Sequence, residues 1–194
     1  MGRWCGRRGA WASALATAEP ESEALWHFSL EFYAAPGMAE ALIALQDQEG
    51  LDVNLMLFAL WFGLSGRGRL DRNALSAAEQ AVRAIRTDVV EPLRSLRRRL
   101  RNCPDEDVQH LREGVKVLEL EGEKLVQARL ARLVGAVGAE GPPLQRRLAE
   151  ARANFALYLG PERARIPAAG VVLGAIGAFA HGPVPIPPPR AAMG

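Results

Sequence analysis

Five polar residues, Gln46, Asp47, Glu49, Asp52 and Asn54, fall within nine positions of a segment otherwise built from large apolar side chains. A polar group carried into such surroundings costs about 2–7 kcal/mol unless it is hydrogen-bonded, so each of these residues needs a partner. In a functional reading they line a ligand, metal or partner pocket floored by Trp26, Tyr33 and Trp61. In a structural reading, which is the simpler, Asp52 caps a helix, Gln46 or Asp47 ties down the turn at Gly50, and Asn54 bonds to backbone. Asp52-x-Asn54 opens like a calcium loop, but the third ligand and the following glycine are missing.

A second candidate is the basic run Arg94, Arg97, Arg98, Arg99 and Arg101. Such a patch can bind the phosphates of RNA or DNA without regard to sequence, in a salt-dependent way. No aromatic residue interleaves these arginines, so a platform for stacking bases is missing. The segment that follows supplies Asp105, Glu106, Asp107, Glu113, Glu119, Glu121 and Glu123. Those carboxylates can pair with the arginines if the two segments pack side by side, and intramolecular pairing is the expected role of the run. Gly63-Leu-Ser-Gly-Arg-Gly can wrap a phosphate with its N–H groups, but it lacks the Lys-Ser/Thr end of a P-loop and no strand precedes it. His27, His110 and His181 are scattered, and two cysteines, Cys5 and Cys103, make neither a disulfide framework nor a zinc site. No nucleophile–base pair stands out, and no metal and no cofactor is expected.

The elements that position these residues are helical throughout. Ala, Leu, Glu and Arg abound while β-branched residues are scarce. Leu25–Gly63 holds seven of the twelve aromatic residues and neither Lys nor Arg, which marks it as interior. Ser22 is the expected cap of a first helix carrying Leu25, Phe28 and Phe32. Pro36 opens a second helix, to about 48, with Gly50 as its left-handed exit. Asp52 caps a third, Val53 to about Gly63, so apolar all round that it belongs at the centre of a bundle. Ser76 and Glu79 form a capping box for a fourth helix, which Pro92 kinks or restarts near Asp88. Val108, Leu111, Val115, Leu118, Gly122 and Leu125 form a heptad-like seam on a long helix reaching about Leu133, which packs on the chain's own helices or serves as an oligomer interface. Leu144, Leu148, Phe155 and Leu159 mark one more helix, ended by Gly160-Pro161.

Trp26 and Tyr33, Pro36-Gly37, Leu45-Gln46-Asp47, Gly50, Asp52-Val53-Asn54, then Leu57, Phe58 and Trp61 resemble the motif of DUF2390, a family of small uncharacterised proteobacterial proteins. The resemblance continues more loosely through Pro92-Leu93-Arg94 and the Glu119–Leu133 helix, covering about 23–135. It implies a compact all-helical cytoplasmic protein and transfers no activity.

The expected architecture is therefore an all-α compact bundle of five to seven helices with disordered N- and C-terminal tails. Residues 1–21 form an extension, 22–137 the helical core, 138–160 an additional helix and 161–194 a Pro/Ala/Gly-rich disordered tail. Residues 1–18 share a basic start and Ala-x-Ala-like sites with signal peptides, but their apolar stretch has a single Leu, and an unstructured extension is the expectation. No membrane span is expected, because Val53–Leu64 is far short of about 20 residues. The expected function is a non-enzymatic protein-interaction or regulatory module with a protein partner. The alternatives are RNA or ribonucleoprotein binding through Arg94–Arg101, and a ligand binder or enzyme using the Gln46–Asn54 cluster.

Overall fold

The computed structural model describes residues 19–134 and 141–179. The order is α1 (Glu19–Ala34), α2 (Met38–Glu49), α3 (Val53–Leu64), α4 (Arg72–Ile85), a π turn (Arg86–Val90), α5 (Glu91–Arg99), a 3-10 turn (Leu100–Asn102), α6 (Glu106–Ala131), α7 (Leu144–Arg163) and α8 (Pro167–Phe179). Helix α4, the π turn and α5 run on as one rod, so the described residues hold seven rods and no strand. The break expected near Asp88 is that π turn. It absorbs the missing N–H of Pro92, which stands in the first turn of α5.

Helix α3 is the centre. Ten of its twelve residues are buried, including Leu55, Met56, Phe58, Leu60 and Trp61. Asp52 starts it: Asp52 Oδ1 accepts the Leu55 N–H at 3.0 Å, and the Tyr158 hydroxyl accepts the Asp52 N–H at 2.9 Å. Gly50 ends α2 with φ 68°, donating its N–H to the carbonyls of Gln46 and Leu45. The closest helix contact is α3 against α7. A Cβ built on Gly63 would stand 2.2 Å from the Ala151 backbone nitrogen, so only glycine permits this approach. The helix expected as an addition to the core is thus a wall of it, with Leu148, Ala151, Phe155 and Leu159 buried.

The structure corrects several expectations. Helix α1 runs from Glu19, so Ser22 lies inside it rather than at a cap. Helix α2 starts at Met38, because Gly37 takes the left-handed region (φ 77°) just after Pro36. Ser76 and Glu79 lie inside α4, whose cap is Asp71, accepting the Ala74 N–H at 2.7 Å. The tail assigned to 161–194 contains α8, whose Ala169, Val172 and Ile176 recur at helical spacing and are fully buried. Burying that stripe against α2 and α7 offsets the conformational freedom of its glycines. Residues 1–18 and 180–194 lie outside the described residues, as do His181 and Cys5. The seam of α6 is rotated. Val115 and Gly122 are buried, but with Glu119, Val126 and Leu130, while Leu111, Leu118 and Leu125 face outward. Neighbours on two sides, α1 and the α5 rod, turn the buried stripe away from a strict seven-residue repeat. No helix among the described residues is long and apolar enough to cross a membrane.

Candidate functional site

A cleft of about 910 Å³, open to solvent, lies between α1 and α2, the rod of α5, and α6. Its floor is polar and buried. The Ser29 hydroxyl donates to the Leu25 carbonyl (2.8 Å) and stands 3.2 Å from Gln127 Oε1, while Gln127 Nε2 donates to Asn54 Oδ1 at 2.9 Å. Asn54 therefore bonds a side chain of α6, not backbone as expected. Satisfying one another this way lets three polar side chains sit in the interior.

The walls carry Trp26, Leu30, Tyr33, Ile43 and Leu120. Leu30, Tyr33, Ile43 and Leu120 are exposed large apolar side chains, and here they are gathered on one concavity. Lys124 Nζ lies 5.4 Å from the Trp26 ring centroid, within cation–π range.

The rim is a charged lattice between α2, α5 and α6. Arg94 donates to Gln46 Oε1 (2.8 Å), Glu119 Oε1 (3.1 Å) and Glu123 Oε1 (2.7 Å). Arg97 grips both oxygens of Glu119, and Arg98 grips both oxygens of Asp47 at 2.9 and 3.1 Å. Gln46 and Asp47 thus tie α2 to α5, and the Gly50 turn is held by its own backbone hydrogen bonds. Burial by itself would raise the Glu119 carboxyl, but Arg97 and Arg94 hold it below the usual carboxylate range. One turn on, burial wins, and Glu123 is raised despite Arg94. Asp47 is lowered chiefly by its hydrogen bond from Arg98. The Tyr33 hydroxyl is raised, first by burial and then by Glu123.

Of the residues named from sequence, Trp26, Tyr33, Gln46, Asp47, Asn54, Arg94, Arg97, Arg98 and Arg101 converge on this cleft. Asp52 does not line it, being occupied as the α3 cap with Arg86 Nε 4.0 Å from its other oxygen. Trp61 does not either: it is fully buried, with the Arg67 guanidinium 4.0 Å over its ring. Arg99 is exposed and points elsewhere. The glycine-rich loop is bound to the fold, since Asn154 of α7 accepts from Leu70 N–H (2.8 Å) and donates to the Gly68 carbonyl (3.0 Å), and Arg67 pairs with Glu21. Sequence reasoning passed over Ser29, Lys116, Leu120 and Gln127. The sequence signal for the α6 members was present, because Lys116, Glu119, Leu120, Glu123 and Gln127 recur every three to four residues as one stripe.

Chemically, the cleft offers an apolar wall and a cationic rim. Five cationic residues (Arg94, Arg97, Arg98, Arg101, Lys116) face three carboxylates (Asp47, Glu119, Glu123). Among the described residues no group of three His, Cys, Asp or Glu could hold a metal ion. A family model described as "Protein of unknown function (DUF2390)" matches residues 24–130, more than half of the chain. No curated protein and no solved structure matches the chain.

Proposed function

The chain belongs to the DUF2390 family, and for this member we propose a non-enzymatic protein-interaction function: the cleft receives a partner segment that combines apolar side chains with a carboxylate. The observation that carries this reading is the meeting of two sets of residues far apart in sequence, the exposed apolar side chains of α1, α2 and α6 and the arginines of α5, at one concavity. Leu30, Tyr33, Ile43 and Leu120 supply the area removed from water on binding. Arg98 supplies the anion contact. Its pair with Asp47 is about half exposed on both sides, so exchanging Asp47 for an incoming carboxylate costs little, on the order of 0–1 kcal/mol. Arg94 and Arg97 are locked on Glu119 and form the frame on which Arg98 and Arg101 stand.

The alternative, RNA binding through the Arg94–Arg101 helix, has less support, because Arg94, Arg97 and Arg98 carry acid partners within the fold. An enzyme using Gln46–Asn54 has less again, since each of Gln46, Asp47, Asp52 and Asn54 already serves a partner.

Selection of displayed random peptides against the intact chain tests the proposal. Enriched peptides are expected to pair aromatic or branched apolar residues with Asp or Glu. Binding is expected to drop on Ile43→Asp and on Arg98→Glu, two exposed positions whose replacement leaves the melting temperature near wild type. Peptides that bind both variants as well as wild type refute the reading. So does a failure to enrich any peptide while a small aryl carboxylate saturates the cleft.

A further inference from the structure

We infer that the outward face of α6 is a self-association surface on which a second copy of this chain docks antiparallel. This surface is separate from the cleft, whose residues Lys116, Glu119, Leu120, Glu123 and Gln127 form a different stripe of the same helix. On the outward face Leu111, Leu118 and Leu125 are 59%, 58% and 44% exposed. Their seven-residue spacing drifts only about 20° per heptad on an α-helix, so all three fall in one narrow strip. The strip is centred on α6, with Leu118 near the middle of the 26 residues. Val89 widens it: this exposed side chain lies 3.7 Å from where a Cβ on Gly122 would stand. Gly114, between Leu111 and Leu118, has nothing among the described residues within 4 Å of a built Cβ, which leaves room for a second backbone to come close. Glu121, the acidic residue within the strip, is engaged by Lys124 of its own helix at 3.0 Å.

Charge complementarity selects the occupant and its direction. Asp107 lies four residues before Leu111 and Arg129 four residues after Leu125, and both are exposed. The order Asp107, Leu111, Leu118, Leu125, Arg129 is therefore symmetric in spacing and antisymmetric in charge. A two-fold axis near Leu118 sets Leu111 against the second copy's Leu125 and Asp107 against the second copy's Arg129, each twice. A parallel arrangement instead opposes Asp to Asp and Arg to Arg. The helix dipole agrees, since the acidic first turn (Glu106, Asp107) and the basic last turn (Arg129) of two antiparallel helices face each other. Among the described residues Arg129 makes one polar contact, at 3.4 Å to the Ala81 carbonyl.

Sedimentation equilibrium of the full chain at micromolar concentration is expected to give twice the 21.0 kDa chain mass, and Leu118→Asp is expected to give a monomer that still unfolds in one cooperative transition. Asp107→Arg and Arg129→Asp are each expected to raise the dissociation constant about tenfold, because two attractive pairs become repulsive. Combining them restores the attraction and returns the constant to near wild type. A wild-type monomer, a dimer indifferent to Leu118→Asp, or a double swap that stays as weak as the single changes overturns the inference.

Discussion

Replacing Glu119 by Gln tests whether the cleft frame is the electrostatic structure described above. Glu119 is almost wholly buried and accepts from Arg94 and Arg97 together, while both guanidiniums are largely covered. Gln keeps the shape and one acceptor oxygen but removes the charge that both arginines share. Arg94 retains Glu123 and Gln46; Arg97 retains no carboxylate within salt-bridge distance among the described residues. Breaking a buried pair costs about 3–5 kcal/mol and an exposed one about 0–1 kcal/mol, so this intermediate case is expected to cost about 2 kcal/mol. In a chain of this size that lowers Tm by about 4–8 °C. Urea titration followed by circular dichroism at neutral pH reads the loss directly as a lower midpoint at unchanged slope. The pH dependence adds a sign. The Glu119 carboxyl is held below its ordinary 4.5, so its contribution is present above that value and fades as pH falls through the folded pKa. The gap between wild type and variant must then close on acidification. Glu123 works in the opposite sense: its raised pKa makes its contribution strongest in acid and lost as pH rises. A Glu119→Gln variant as stable as wild type at neutral pH, or a gap that widens in acid, refutes the reasoning.

Two further outcomes follow from the packing of α3 on α7. Gly63→Ala places a methyl 2.2 Å from the Ala151 backbone nitrogen, where no side chain can swing aside. The helices must separate, and a loss of about 3 kcal/mol or more is expected by urea titration; a loss near zero means the two helices are not in contact there. A chain ending at residue 137 lacks α7 and α8, so it leaves the apolar α3 uncovered. It is expected to bind the dye ANS and to unfold without a sharp transition, and a cooperative monomer refutes the view that α7 is a wall of the core.

Local chemistry was legible in the sequence. Asp52 as a cap, Gly50 as a left-handed exit and the all-apolar Val53–Leu64 as the centre each follow from a residue and its immediate neighbours. Proline likewise announced the break that became the π turn. Where two signals competed, Asp71 rather than Ser76 caps α4, and the earlier start places Leu75 on the buried face with Ala78, Val82 and Ile85. The rotation of α6 could not be read from its own leucines, because the neighbours that choose between Leu118 and Glu119 for the inside come from α1 and α5. Helix α8 was hidden by composition, since glycine and alanine look the same in a linker as in a short buried helix until a stripe such as Ala169, Val172 and Ile176 finds a wall. The cleft was legible only in pieces. Gln46 and Arg94 are 48 positions apart, and nothing local says that the polar cluster and the basic run share one rim.

The most direct measurement is an amide and indole NMR titration of the intact chain with an acidic, apolar peptide obtained from the selection. Saturable shifts are expected at the Trp26 indole N–H, at Leu30, Tyr33 and Ile43, and at the Arg98 side chain, with the buried Trp61 indole and the Leu111–Leu125 strip unmoved. Shifts confined to that strip, or to Arg99 and the outer face of α5, would contradict docking in the cleft.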